Sequence, residues 1–528
     1  MKRLVLTIFT LALGLGIALA QSNNSTIDVL GNSNAQAVDQ KGASNSSDVN
    51  QKGDSNIADV AQDGSSNTAS IDQGQTGDNG DTPGVSNYSE AYIQQAGANN
   101  LAESNQNGEG NYSWQSQDGN DNTATITHQR DFNVGSGTTV PDGNYHTQEQ
   151  IGDNNFATAR TYNGPNSGSQ YQEGDWNYSK IDQGGAGNEG NHAETDQEGN
   201  YNNAFVDQLG GGFTDNEAYV SQEGDYNDAD VEQSGDDNDN EVDQEGNYNI
   251  AATVQLGDGN DADVEQEGDE NNAVLGQTGS YNDADVDQDG DNNYAYTGQS
   301  GDDNDADVDQ EGAENMADVL QSGNANEADV NQDGGSNDAD VAQTGDGNEA
   351  TVRQNGAANI ADIDQLGNGN KYSDYMTGSA NDDNQIYATQ DGDNNNARYE
   401  IQGDRNLINS DQTGTGNQIF MNLDGNGGLA GGLGGSGESS DNVLDFDQLG
   451  NSNIISGGLG DGSNNNLITV SQTGDANHVT SSNAWTQDGV LIGGNDNTMT
   501  ITQDGMDNTS LNTIIGNGNT ATVDQSDL

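Results

Sequence analysis

Apolar residues are sparse along this chain, and where they occur they keep step with amides. From Gln222 to Gln365 a Gln returns every eleventh residue through fourteen units, with Gly two residues later, from Gly224 to Gly367, and Asn five residues later, from Asn227 to Asn370. Ala usually follows that Asn by two and Val by four, so the unit reads N-x-A-x-V-x-Q-x-G-x-x, as in Asn282, Ala284, Val286, Gln288 and Gly290. Residues at alternate positions share one face of an extended strand. Asn, Ala, Val and Gln are thus predicted to point inward and the Asp, Glu, Asn and Thr between them outward. The remaining x-G-x-x predicts a tight turn, where Gly takes a positive φ at no steric cost. Helix does not fit β-branched residues at a period of two with Gly and Asn in every unit.

Two units make a flattened rung of 22 residues. One rung cannot stand alone: ordering each residue costs about 1–2 kcal/mol, and burying a Val returns only about 1.5–3 kcal/mol. Stacking supplies the rest, through backbone hydrogen bonds and through identical amides repeating at roughly 4.8 Å. The predicted fold class is all-β, a parallel β-solenoid with two short strands per rung; about 41 units would make about 20 rungs and a rod on the order of 100 Å. Its amide ladders would run through Asn227, Gln233, Asn282, Gln288, Asn304, Gln310, Asn315, Gln321, Asn337 and Gln343. Ala284, Val286, Ala306, Val308, Ala317 and Val319 would form the apolar core, with Gly290, Gly312 and Gly323 in turns. Uncapped ends offer unpaired N–H and C=O groups to another copy, and the segment Gln525 to Leu528 is short for a cap, so end-to-end polymerisation is expected.

The frame divides the chain. Residues 1–20, with Lys2 and Arg3 before an apolar run and Ala18-Leu19-Ala20 at its end, read as a secretory signal cleaved before Gln21. Residues 21–221 carry irregular repeats, 222–370 the regular ones, and 371–528 degenerate ones with a glycine-rich insertion at 426–441. Further insertions are expected around 74–88, 129–143, 155–165 and 371–383, where Pro83, Pro141 and Pro165 do least harm to a hydrogen-bonded ladder. The mature chain has no second apolar span, so it is read as exported, extracellular or at the cell surface.

Composition narrows function. Of 528 residues, 89 are acidic and 11 basic, for a net charge of −78; there is no Cys, 29% of residues are hydrophobic and the mean hydropathy is −0.93. Disulfides and thiolate metal sites are excluded, and a nucleic-acid backbone or an anionic membrane would be repelled. Removing residues 1–20 takes two positive charges, leaving 9 against 89, or −80. Residues 222–370 hold 40 acidic residues and one base, Arg353. Equivalent carboxylates of stacked rungs would repel by about 1 kcal/mol per pair in water, a repulsion that about 1 M salt largely screens. Assembly is therefore expected to need high salt or divalent cations such as Ca²⁺ as non-specific counterions, with Asp283, Asp285 and Asp287 as weak metal candidates. A salt-loving organism with generally acidic proteins would explain the charge equally. The stretch Gly493 to Ile501 is similar to a calcium-binding nonapeptide, but occurs once and lies within the frame.

No catalytic constellation appears and no enzyme activity or cofactor is expected. His128, His146, His192 and His478 are scattered, with His128 in a Gln slot, and thin rungs offer no desolvated pocket for a general acid. No phosphate loop of the G-x-x-x-x-G-K type is present. Tyr372 and Trp485 read as core variants.

The string Q-x-G-x-x-N-x-A-x-x-x-Q, as in Gln310, Gly312, Asn315, Ala317 and Gln321, closely resembles the repeat of curlin, the subunit of curli fibres. The resemblance implies an amyloid-like, cross-β extracellular fibre of adhesion and biofilm matrix. It also implies an outer-membrane secretion pore and a nucleator subunit as partners besides self. Curlin subunits usually carry about five longer repeats, and this chain has many more and is far more acidic. The competing readings are a monomeric acidic β-solenoid adhesin, a module binding cations or another surface, and a disordered acidic polymer.

Overall fold

A computed structural model of the chain describes residues 22–74, 87–129, 143–162, 165–185, 190–210, 215–376, 382–425, 440–460, 463–480 and 490–526. All regular structure among them is β. Successive units alternate between two parallel sheets that face each other. Sheet 1 has 21 strands, from Asn24–Leu30 to Thr520–Ser526. Sheet 2 has 20 levels, starting at Ala35–Ala43; its last two are each split in two, as His478–Thr480 with Val490–Gly493 and Thr509–Leu511 with Thr513–Ile515. The parallel β-solenoid foreseen from the eleven-residue period is the fold of the chain.

Register follows that period. In the regular region residue i pairs with i+22, as Asp283 with Asp305 and Ile250 with Asn272. Around 74–88 and 129–143 the offset widens to 33, as Ile57 with Glu90 and Tyr112 with Tyr145. Pro83, Pro141 and most of both stretches lie outside the described residues, as do residues 1–20, Trp485 and 426–439.

One expected insertion is corrected and another narrowed. The stretch 155–165 is in frame: Phe156–Tyr162 is a strand registered on Thr123–Gln129 and Tyr178–Gly185, with Asn155, Ala157, Ala159 and Thr161 inward. The motif looked broken only because Thr161 stands for Gln and Asn163 for Gly; the Asn155-to-Asn166 spacing is intact. In 371–383, Lys371–Met376 is a strand, with Tyr372, Asp374 and Met376 in the Ala, Val and Gln slots. Only the shift from Glu349–Lys371 to Lys371–Asn396, an offset of 22 becoming 25, marks added residues.

The interior is half amide. Along the strand Asp305–Ala313, Ala306, Val308 and Gln310 are buried while the alternate residues are exposed or half-exposed. A polar group can be buried at little cost only when it is hydrogen-bonded, so the fold depends on where each amide finds its partners.

Candidate functional surfaces: ladders, turns and an acid face

The Gln residues form directional ladders. In sheet 2 the column runs unbroken from Gln40 to Gln354, each Nε2 donating to Oε1 of the Gln one rung on. Gln288 donates to Gln310 and Gln310 to Gln332, both at 2.8 Å. The second Nε2 proton crosses the interior to a backbone carbonyl of the facing sheet, Gln310 to Tyr294 O at 3.0 Å. Gln233, Gln321 and Gln343 do the same in sheet 1. The Asn columns run the other way: Asn304 donates its backbone N–H and Nδ2 to Oδ1 of Asn282 at 3.1 and 3.0 Å, and Nδ2 also reaches Gly323 O at 2.9 Å. Asn227, Asn315 and Asn337 occupy the same slot. Ala284, Val286, Ala306, Val308, Ala317 and Val319 are buried between the amides.

One direction of donation means that a ladder's first Gln has no donor behind it. Gln51 follows Val29, Gln115 follows Ile93 and Gln183 follows Thr161, and in each of the three the buried Oε1 lacks a hydrogen bond.

The turn glycines take the positive φ expected of them, and the turns hold two features that the sequence reading missed. Gly290, Gly312 and Gly323 have φ of 127°, 113° and 123°, and a Cβ there would lie 1.9–2.0 Å from the carbonyl oxygen of the glycine one rung on. The residue before most of the slot Asn is also left-handed, and among the described residues 29 of these are not glycine, including Asp303 and Glu314 at 58° and 60°. Such residues cost about 1–2 kcal/mol each unless the surroundings enforce them. The enforcing contacts come from the residue after Gly. Asp302 Oδ1 accepts the N–H of Ser280 at 3.0 Å, and Asn324 Oδ1 that of Asp302 at 3.0 Å. The recurrence of Asp or Asn after Gly, as at Asp291, Asp302 and Asn324, was the available signal.

The two faces of the rod differ sharply over four consecutive rungs. In sheet 2, all four outward positions on each of four strands are acidic: 239–245, 261–267, 283–289 and 305–311 at alternate residues. Asp283, Asp285 and Asp287 sit at its centre, in register with Asp305, Asp307 and Asp309. Partial burial, then the neighbouring carboxylates, pushes Asp263, Asp287 and Asp307 up to about 6. Across the same rungs the outward positions of sheet 1 hold one acid, Asp318, among Ile250, Leu256, Tyr294, Met316 and Leu320. Among the described residues no cluster of three or more His, Asp or Glu is arranged to hold a metal ion.

Ladder variants explain the buried histidines. His128 stands between Gln106 and Thr161, its Nδ1 2.6 Å from Thr161 Oγ1, and burial pushes it down to about 4. His146 fills an Ala slot, and its ring fits because Gly168 follows it: a Cβ on Gly168 would lie 2.5 Å from His146 Cε1. Burial first, then the other histidines, takes His146 to about 3. His192 is partly exposed with Nδ1 2.9 Å from Ser167 Oγ, and His478 opens a short strand. Asp374 is buried in a Val slot, where it accepts the Arg353 N–H at 2.7 Å and the Tyr372 hydroxyl at 3.0 Å; burial still pushes it up to about 7. Gly493 to Ile501 contributes the ordinary start of the strand Thr498–Asp504, with Asp496 at the left-handed corner.

Comparison with known proteins agrees with this geometry. The curlin associated repeat matches residues 42–74, 213–235, 235–268, 257–290, 282–312, 312–345 and 345–373. No curated protein matches the chain. Proteins built from this repeat are structural fibre subunits rather than enzymes. Among the described residues no helix is long and apolar enough to cross a membrane. Seven matches, over 42–74 and 213–373, fall on rungs whose inward residues are the Asn, Ala, Val and Gln of that repeat, so the chain carries curlin repeats there.

Proposed function

We propose that the chain is a secreted structural protein, the subunit of an extracellular amyloid-type fibre used in surface adhesion and biofilm matrix, growing by end-to-end stacking of rungs. One observation carries this reading: every Gln ladder donates in one direction and every Asn ladder in the other, so one end of the rod presents Gln donors with Asn acceptors and the other end the reverse. Ends of that kind pair head to tail and not head to head, which makes an open filament. Export through an outer-membrane pore and seeding by a nucleator come with the family likeness. No enzymatic role is assigned.

Salt or divalent cations would act as counterions to the acid rows and lower the repulsion between copies. The acid face also favours a second reading, a solenoid that stays monomeric and binds cations or a cationic surface. Electron microscopy and thioflavin fluorescence of purified residues 21–528, in low salt, in 1 M NaCl and with Ca²⁺, separate the two. The fibre reading expects filaments that form faster as the acid rows are screened. Rods that remain single under every condition would overturn it.

A further inference from the structure

The described stack finishes on sheet 1 at both ends, with Asn24–Leu30 at one and Thr520–Ser526 at the other, because sheet 1 has one strand more than sheet 2. Each end is therefore a step half a rung high. Beside the projecting strand Thr520–Ser526, sheet 2 is recessed at Thr509–Ile515; at the other end Asn24–Leu30 projects beyond Ala35–Ala43. Two copies stacked in the same orientation would meet projection to projection. Sheet 2 would then be one strand short, with backbone N–H and C=O groups unpaired at the gap.

A copy turned half a revolution about the rod axis fills the step. Its Asn24–Leu30 enters the recess above Thr509–Ile515, and its Ala35–Ala43 lies on Thr520–Ser526. Strand directions stay parallel, since the two sheets run opposite ways around the coil and a half-turn reverses a strand.

Side chains select the same arrangement. After a half-turn Gln525 meets Gln40, so that an Nε2 with one partner, Thr509 O, faces the first Oε1 of the sheet 2 ladder. Ile514 meets Val29, Ser510 meets Ser25, and the columns continue as Asn519 on Asn34 and Asn508 on Asn23. Without the half-turn, Gln525 would face Val29 and lose that acceptor. Resting on the fibre reading above, we propose that copies of this chain join through a half-turn, so that the sheets exchange at every junction. The acid strands 239–311 then alternate between opposite sides of the filament, one per rod length of about 100 Å.

The test uses the chain without residues 1–20 and carrying Asp285→Cys, an exposed position on the acid face of a molecule with no other Cys. Coupled to maleimide gold and viewed by electron microscopy, its filaments should carry label on alternating sides. Cryo-electron microscopy of the unlabelled filament should give a twist near 180° per copy. Label along one side, or a twist near zero, overturns the half-turn and leaves the fibre standing; absence of filaments overturns both. Gln525→Val supplies an independent readout. The half-turn predicts elongation slower by about tenfold through the lost amide contact, and elongation as fast as or faster than the unaltered chain overturns it.

Discussion

Rungs 215–370 and rungs 382–515 share a backbone and differ inside. In the first, the Gln column of sheet 2 runs Gln266, Gln288, Gln310, Gln332, Gln354. Beyond it the same slot holds Met376, Ile401 and Leu423, then Leu459, Ile492 and Ile514, all buried. Sheet 1 keeps its Gln column there, through Gln390, Gln412, Gln448, Gln472 and Gln503, but its Ala slot fills with Ile386, Ile408, Leu444, Ile468 and Met499. The parallel ladder and the glycine turn persist across the change. Backbone pairing therefore sets the fold, and an inner column can hold amides over one run of rungs and aliphatic residues over the next. Mixing within a column is what is costly, because an amide beside a methyl group loses a partner while staying buried.

The turn is the shared element, and breaking it should have the largest effect and the least regional difference. Gly312→Ala and Gly450→Ala each place a Cβ 1.9–2.0 Å from the next glycine's carbonyl oxygen or carbon framework at φ 113° and 127°. Strain plus forced backbone movement is expected to cost about 2–6 kcal/mol at either site, read as local opening free energy by native-state hydrogen exchange. A marked difference between the two would show that the core, and not the turn, governs rung stability.

Columns should differ where turns agree. Gln310→Leu strips Gln288 Nε2 of its acceptor and Gln332 Oε1 of its donor, two orphans at about 1–3 kcal/mol each, partly offset by the added apolar group, for a net loss of about 1–4 kcal/mol. Gln354→Leu orphans only Gln332 Nε2, since Met376 already follows, and should cost about half as much by the same measurement. Equal losses at 310 and 354 would refute the column account.

The legibility of the molecule follows the same division. Where amide and aliphatic slots alternate every eleven residues, strand, face and turn could all be read, down to Gln310 inward and Asp309 outward. At 155–165 the side-chain motif failed while the spacing held, and spacing was the better guide. The aliphatic column from Met376 to Ile514 was hidden because apolar residues at a period of two lack the Gln that marks the frame. The left-handed residues before most of the slot Asn were hidden too: Tyr248 or Glu314 carries no intrinsic preference for that conformation, which the stack imposes through the Asp or Asn after Gly. His146 with Gly168 shows a compensation 22 residues apart that only the register brings together.

The boundary between the two regions should be sensitive to pH. Asp374 lies buried between Val352 and Tyr399, with its carboxyl raised to about 7. A carboxyl whose folded pKa exceeds its unfolded one binds more protons when folded, so its contribution is full below about 4 and is lost as pH rises through about 7. Hydrogen exchange at rungs 349–401 should quicken over that range, and Asp374→Asn should abolish the change. Around His128 and His146, both lowered by burial, the sign reverses: stability is full above about 6.5 and falls as pH drops toward 4. Acidification should therefore loosen rungs 112–168 while tightening the Asp374 rung, and a uniform response would break the contrast.

Salt should produce the smallest and most local difference. The acid face carries four carboxylates per level on sheet 2 at 239–311, whereas the outward residues of Leu407–Thr415 and Leu467–Thr473 mix Asn, Asp, Ser and Thr with apolar groups. Carboxylates in register repel by about 1 kcal/mol per pair in water at such spacing, and shortening the Debye length from about 10 Å to about 3 Å removes most of that. Between 0.1 and 1 M NaCl, exchange at 239–322 is expected to slow by several-fold more than at 407–473. Because the screening acts on outward charges and leaves the amide ladders untouched, Asp285→Asn with Asp307→Asn should remove part of the salt response and leave the rung intact. A salt response undiminished by neutralising both would mean that the rows do not repel as stacked, and that the ladders, not the faces, sense the ions.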